Sequence, residues 1–268
     1  MPLSEHERAR ALSTAVAAAA RASAMLRRVA RADRTAQHKG VVDLVTEHDI
    51  ASEAILRADL RAAYPGWGFL GEEGGTDGPT EVRWIVDPID GTTNFAHGLP
   101  IFAIAVALEN EGVIEVAVVD APILGVVWTA KRGGGAYRDG ERIHVSTTAR
   151  LDDALLATGF PYDRKTSPDN NLTEFAAIQL RAQAVRRCGA AVLDLAWVAD
   201  GTFDAYWESK LHPWDWAARS LLVAEAGGRL TDRAGGPFTA HGRTLVATNG
   251  LIHDELLAAL PPTPAATR

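Results

Sequence analysis

An α+β half followed by an α/β half is the fold class that this sequence predicts, and three observations predict it. Across residues 101–137, short β-rich runs follow one another with only turn signals between them, the mark of an antiparallel meander. Beyond about residue 150 the strands alternate with helical stretches, as in an α/β layer structure. The pattern changes within residues 147–152, so we expect two halves of one unit, residues 1–148 and 149–268. A chain of 268 residues suffices for one large or two medium domains, and its 47% hydrophobic and 23% charged residues match an ordinary soluble globular protein.

Residues 5–31 are rich in alanine and arginine, with Leu12, Val16, Met25, Leu26 and Val29 as larger apolar side chains, which predicts a long helix packed on a sheet. The alanine-rich run at 15–20 could pass for an export-signal core. Glu5 and Glu7 before it, and Arg21, Arg27 and Arg28 continuing the helical pattern, argue instead for a cytoplasmic amphipathic helix. A loop and short extended segment at 39–45 lead to a second helix over 46–63, which stops before Pro65. Thr46-x-x-Asp49 has the spacing of a capping box, so Asp49 can serve simply to satisfy backbone donors. Gly68-Phe69-Leu70 runs into the glycine-rich loop Gly71-Glu72-Glu73-Gly74-Gly75, whose acids are either solvated or placed to reach a metal.

Trp84-Ile85-Val86 is short enough to be one buried strand. Asp87 and Asp90 follow its end around Pro88, and Gly91-Thr92-Thr93 opens a helix whose free N–H groups favour an anion. A plain strand-to-helix turn is the competing reading, because Asp-Pro and Asp-Gly are common turn dipeptides. Strands are expected over 101–108, 113–120, 125–130 and 136–137 in the meander. In the second half the expected order is strand 155–158, helix 169–184, strand 185–188, helix 190–199 and strand 203–208. Helix 214–226, closed by Gly227-Gly228, then precedes strand 245–248 and helix 251–260. Residues 261–268 read as a disordered tail.

The net charge is −7 with no long run of one sign, which argues against a nucleic acid or an anionic membrane as the main partner. An anionic substrate would therefore need local cations or metals. Cys188 is the only cysteine, so an intramolecular disulfide and a cysteine metal cluster are both excluded. It is expected to be a small buried residue in a protein of the reducing cytoplasm. No stretch is long and apolar enough to span a bilayer.

Carboxylates at loop positions after strands stand out: Glu72, Asp87, Asp90, and Asp215 in Leu211-His212-Pro213-Trp214-Asp215. Each alone could be structural. Together they make an oxygen-rich set that favours Mg²⁺ or Mn²⁺ over Zn²⁺. If the fold brings them together, such carboxylates retain protons unless a cation compensates them. Mg²⁺ bound by such a set lowers the pKa of a bound water. Neither Ser146, Cys188 nor any of the eight histidines lies in a recognisable nucleophile motif.

With these residues in view, the sequence resembles the inositol monophosphatase family, within the wider group of Mg²⁺-dependent, lithium-sensitive phosphomonoesterases, and most resembles its bacterial inositol-1-monophosphatase type. The matching motifs run in order along almost the whole chain: Asp43-Leu44-Val45-Thr46-x-x-Asp49, Gly71-Glu72-Glu73, WIVDPIDGTTNFAHGLP at 84–100, GGGAY at 133–137, Trp214-Asp215 and Glu225-Ala226-Gly227-Gly228. Asp43 and the GGGAY stretch we read as structural.

The resemblance implies a layered αβαβα sandwich of the type shared with fructose-1,6-bisphosphatase, hydrolysing a phosphate monoester with two Mg²⁺ ions and a third, weaker one. It implies that Glu72, Asp87 and the carbonyl of Ile89 hold one ion, that Asp87, Asp90 and Asp215 hold the second, and that Glu72 helps hold the third. The N–H groups of Gly91 and Thr92 would receive the phosphate, and Asp49 with Thr92 would position or deprotonate the attacking water. Gly189, Ala190 and Ala191 would line the substrate pocket and Glu208 would bind a ring hydroxyl, the alternative for Glu208 being a surface carboxylate at a strand end. Ala190 lies where relatives often carry Ser or Thr, and Lys39 lies roughly at the place of a family lysine near the metals. Arg219, four residues after Asp215, departs from the small residues of the family. An i,i+4 pair can meet on one helix face, so Arg219 could compete for Asp215 or touch substrate. We expect it instead to face solvent or another subunit.

The expected substrate is a small phosphorylated polyol, myo-inositol monophosphate first. Histidinol-phosphate phosphatase, fructose-1,6-bisphosphatase and 3′-phosphoadenosine bisphosphate nucleotidase activities share the metal motif and are the alternatives. A non-enzymatic alternative is a regulatory protein associated with RNA or the transcription machinery, against which the intact ligand set argues. The family is commonly homodimeric and inhibited by lithium, properties that these residues do not themselves display.

Overall fold

The structure, a computed structural model, describes residues 3–29, 36–38, 44–238 and 244–262. The expectations for Lys39, for Asp43 and for residues 263–268 of the tail lie outside the described residues.

Helix α1 (Glu5–Val29) opens on a box in which Ser4 N donates to Glu7 Oε2 (2.7 Å) and Glu7 N to Ser4 Oγ (3.2 Å). It buries Ala11, Ala15, Ala18, Ala22 and Leu26, a stripe at three- and four-residue spacing whose small side chains let the helix lie close to the sheet. Strands β1 (Ala36–His38) and β2 (Leu44–Thr46) pair antiparallel, and α2 (Glu47–Ala63) buries Leu56 and Leu60 beside α1. Next come β3 (Gly68–Gly71), β4 (Gly75–Asp77), β5 (Val82–Asp90), the short α3 (Thr92–His97), β6 (Ala103–Asn110), β7 (Val113–Ala121), β8 (Val126–Lys131), β9 (Gly135–Arg138) and β10 (Glu141–Arg142). Their strands form one eight-stranded sheet of order β10-β9-β8-β7-β6-β5-β3-β4, antiparallel except for β3 beside β5.

The rest of the chain supplies β11 (Leu155–Thr158), α4 (Leu172–Gln179), β12 (Ala184–Arg186), α5 (Ala191–Ala199), β13 (Ala205–Ser209), α6 (Pro213–Glu225), β14 (Arg229–Thr231), β15 (Thr244–Thr248) and α7 (His253–Ala259). These strands make a five-stranded sheet of order β12-β11-β13-β15-β14, in which β11 runs parallel to both neighbours.

The period of two along each strand sorts the side chains into layers. On β6, Ile104, Val106 and Leu108 pack with α1 and α2, while Ala103, Ala105 and Ala107 face α5 and α6. On the second sheet, Tyr206, Leu245 and Ala247 face α5 and α6 from the other side, while Ala205, Trp207 and Val246 join the outer cluster with residues of α4 and α7. The result is the αβαβα sandwich that the resemblance implied. Both sheets are covered on both faces, which is why all eight residues of β6 are buried and the strand reads as a continuous apolar run.

Several expected elements differ in extent: strands 185–188 and 203–208 span Ala184–Arg186 and Ala205–Ser209, and two larger differences have a visible cause. The helix expected over 169–184 spans only Leu172–Gln179. Asn171, at φ 67°, sets its start, and Asn170 Oδ1 accepts Leu172 N at 3.1 Å. At its other end the N–H groups of Arg181 and Ala182 both donate to Ile178 O. The strand expected to stop at Val86 continues through Pro88 to Asp90, so the two aspartates belong to β5 itself.

Candidate active site

The site grows from the end of β5. The β5–β6 register shifts between Asp87 and Asp90, where Pro88 has no N–H to give the ladder. The irregularity brings Asp87, the Ile89 carbonyl and Asp90 to one cavity. Gly91 follows at φ 89° as the N-cap of α3, a conformation that favours glycine. A Cβ there would also lie 3.0 Å from Ile101 O and 3.1 Å from the Ala190 methyl. The parallel pairing of β3 with β5 sets Gly71 beside Val86, which delivers Glu72 next to Asp87.

Asp215 arrives from the second half, in the first turn of α6, where its Oδ2 accepts His212 N at 2.7 Å. Asp87 Oδ1 accepts Ile89 N (3.1 Å) and Asp90 Oδ2 accepts Val192 N (2.7 Å). Each of the three aspartates thus has one oxygen fixed by a backbone N–H. Glu72, Asp87, Ile89, Asp90 and Asp215 all line this cavity, with Gly91 and Thr92. The donors are carboxylates and a carbonyl with no sulfur, which suits a hard divalent cation. Among the described residues no three of the acids close up into a finished coordination shell.

The electrostatics agree with a site that calls for positive charge. Burial, then the charges of Glu72, Asp90 and Asp215, pushes Asp87 well above the usual carboxylate range. Burial raises Asp90 to about 6, with Asp215 adding to the rise and Arg219 and the Val192 N–H opposing it. Carboxylates in this condition bind a proton or a cation readily.

Asp49 makes the capping box weighed from the sequence and also reaches Thr92 at the site. Its Oδ2 accepts Thr46 N (2.7 Å) and Thr46 Oγ1 (2.5 Å), the capping box of α2. Its Oδ1 lies 3.1 Å from Thr92 Oγ1, which is also 3.0 Å from Ile89 O. Asp49 is buried and stands behind Thr92, while Thr92 itself lines the cavity.

A second cavity adjoins the first across Asp90, Gly91, Thr92 and Asp215, and its walls include Gly189, Ala190, Ala191 and Glu208. Glu208 is therefore a pocket residue rather than a surface acid. Burial raises it to about 7, although the Tyr206 hydroxyl donates to its Oε2. The pocket reaches this carboxylate because residue 159 is glycine: a Cβ there would fall 1.9 Å from Glu208 Oε1.

Three contributors escaped the sequence reading. Glu53 on α2 accepts Glu73 N (2.8 Å), Gly74 N (2.9 Å) and Arg57 Nη2 (2.9 Å), and so pins the loop that carries Glu72. Its i,i+4 partner Arg57 made it look like an ordinary helix-face ion pair. Arg187 brings a cation to the rim of the second cavity, signalled only by the Arg186-Arg187 pair. Asp194 lies in the same wall, 1% exposed, and only the polarity of one position in an apolar helix marked it. Gly133 N and Gly135 N each donate to Glu225 at 2.8 Å, so the GGGAY and Glu-Ala-Gly-Gly motifs clamp each other, a structural pairing.

Arg219 corrects an expectation. It does not face solvent or another subunit. It is fully buried, with Nη2 3.8 Å from Asp215 Oδ1, because the face of α6 that carries it is covered by the eight-stranded sheet and α5. Cys188 is half-buried rather than enclosed. Burial first, then Asp194, raises its thiol to about 12, which disfavours the thiolate. No helix among the described residues is long and apolar enough to cross a membrane.

Comparison with known proteins adds to this geometry. The inositol monophosphatase family matches residues 7–263. The inositol-1-monophosphatase of Rhizobium meliloti (strain 1021) is 46% identical over 215 residues, 79% of this chain and 80% of that protein. The Nus factor SuhB of Pseudomonas aeruginosa is 44% identical over 230 residues, 84% of this chain and 85% of that protein. Among solved structures, inositol monophosphatase from Anabaena (Nostoc) sp. PCC 7120 superposes with a TM-score of 0.86 at 40% identity, covering 95% of this chain and 97% of that one.

Proposed function

The chain belongs to the inositol monophosphatase family, and on that premise we propose that it hydrolyses myo-inositol monophosphate, or a closely similar polyol phosphate, to the alcohol and phosphate by attack of water. The observation that carries this reading is the meeting, at one pair of adjoining cavities, of four carboxylates, the N-cap of α3 and the half-buried Glu208. We read the ions as Mg²⁺, two with a third held more weakly. Glu72, Asp87 and the Ile89 carbonyl would hold one, Asp87, Asp90 and Asp215 the second, and Glu72 would share in the third. When bound, Mg²⁺ would neutralise the carboxylates and the phosphate and acidify the attacking water.

The chain's own residues supply the rest. The N–H groups of Gly91 and Thr92 point the phosphate at the metal ligands. Thr92 Oγ1, held by Asp49, is placed to orient the attacking water, and Asp49 can draw its proton through that hydroxyl. Glu208 accepts a hydroxyl of the polyol, with Gly189, Ala190 and Ala191 forming the wall beside it. Arg187 adds a cation at the rim for the anionic substrate. A cytoplasmic, lithium-inhibited homodimer belongs to the same reading.

A panel of phosphate esters assayed with Mg²⁺ tests it: inositol 1-phosphate, histidinol phosphate, fructose 1,6-bisphosphate and 3′-phosphoadenosine 5′-phosphate. We expect the highest kcat/KM for inositol 1-phosphate. A preference for histidinol phosphate would overturn the inositol assignment while leaving the phosphatase intact. The name of the Pseudomonas relative favours a second reading, a Nus factor. Recovery of RNA polymerase by protein that hydrolyses none of these esters would put that reading first.

A further inference from the structure

Arg219 is among the largest fully buried side chains of the molecule, one helical turn past Asp215 on α6. Its Nε, Nη1 and Nη2 have no hydrogen-bond partner among the described residues. The ion pair it does make is long, 3.8 Å from Nη2 to Asp215 Oδ1. A guanidinium buried without a close protein partner is costly unless surrounding anions compensate it. The anions are those of the site. Asp215, one helical turn away on α6, is its ion-pair partner and lines the same cavity as Glu72, Asp87 and Asp90. Arg219 lines neither cavity, so it lies behind the carboxylates on the protein side and does not meet substrate.

We propose that Arg219 is a built-in counter-ion of the carboxylate cluster, a positioning residue that holds Asp215 and offsets part of the cluster's negative charge before any divalent cation binds. The inference rests on the metal-dependent reading above. A fixed positive charge behind the ligands repels an incoming cation, so Arg219 weakens ion binding on the Asp215 side. It also offsets the mutual repulsion of the carboxylates when no ion is bound. Part of the charge compensation thus comes from the protein, and the ion site is left correspondingly easier to empty.

The test is a calorimetric titration with Mn²⁺, without substrate, on the wild type, Arg219→Met and Arg219→Lys, together with thermal unfolding in EDTA and in Mn²⁺. We expect Arg219→Met to bind Mn²⁺ about tenfold more tightly, since one nearby charge changes an interaction of this kind by that order or more. We expect its Tm to fall in EDTA and to recover with Mn²⁺, and Arg219→Lys to stay near the wild type. Unchanged or weaker Mn²⁺ binding by Arg219→Met, with an equal Tm loss in both conditions, would mean that Arg219 only packs, and would overturn the proposal. Should Arg219→Met fail to fold in EDTA, refolding on addition of Mn²⁺ supports the counter-ion role, and failure to refold at saturating Mn²⁺ overturns it. Wild-type protein that binds no Mn²⁺ would overturn the metal reading and this inference together.

Discussion

Glu208 and Asp90 are titratable groups that the fold holds in conditions water would not give them. Burial raises Glu208 to about 7 and Asp90 to about 6, against ordinary values of 4.5 and 3.8. A carboxyl whose folded pKa exceeds its unfolded one adds stability below the unfolded value, and that stability is lost as pH rises through the folded one. For Glu208 the window runs from the ordinary value up to about 7. In EDTA, the Tm of Glu208→Gln should therefore gain on the wild type as pH rises from about 4.5 to about 8, because glutamine keeps an acceptor for Tyr206 and never ionises. A Tm difference that stays constant over that range would mean that Glu208 is solvated in the pocket. The presence of this acid in the chain was legible in the sequence, but its burial was not. That depends on Gly159, a residue 49 positions away that leaves room for the carboxylate.

At the scale of elements, the β5–α3 stretch was the most legible part of the site because its chemistry is local. Asp87, Asp90 and Gly91-Thr92 lie within six residues, and the proline, the glycine and the apolar run each carry a backbone rule. The loop after β3 shows what was not legible. Glu72 was readable as an acid near a strand end, yet the loop is fixed by Glu53 through hydrogen bonds to Glu73 N and Gly74 N that cross 20 and 21 residues. Arg219 failed for a related reason: its i,i+4 spacing from Asp215 gave their relative angle on α6 but not which face the sheet would cover. The role of Glu53 can be tested. Glu53→Ala should leave two backbone donors and Arg57 without their acceptor and cost about 1–3 kcal/mol of stability. The loosened loop should also raise the Mg²⁺ concentration for half-maximal activity several-fold. An unchanged Mg²⁺ requirement in a destabilised variant would assign Glu53 to the fold alone.

On the scale of the whole molecule, the two halves read from the sequence share one interior. Ala217, Ala218 and Leu221 of α6 and Leu193 and Ala196 of α5 lie in the same cluster as Ala103, Ala105, Ala117, Val119 and Trp128 of the first sheet. Polar contacts repeat the pattern across the sandwich: Val192 N donates to Asp90, Asn94 Nδ2 to Cys188 O (2.8 Å), Trp128 Nε1 to Asp200 (3.0 Å) and the Gly133 and Gly135 N–H groups to Glu225. Removing residues 149–268 would expose an apolar sheet face and strip these acceptors and donors of their partners, a combination that a lone half cannot offset. We therefore expect one cooperative transition in calorimetry, with calorimetric and van't Hoff enthalpies equal, and no cooperative unfolding of a fragment spanning residues 1–148. Two resolved transitions, or a folded fragment, would mean that the halves are independent domains that merely dock. The site has a stake in the answer, because Glu72, Asp87 and Asp90 come from the first half and Asp215 and Glu208 from the second. If the sandwich unfolds as one unit and the proposed metal site is right, adding Mg²⁺ should move the whole transition upward, because ligands drawn from both halves meet only in the fully assembled state.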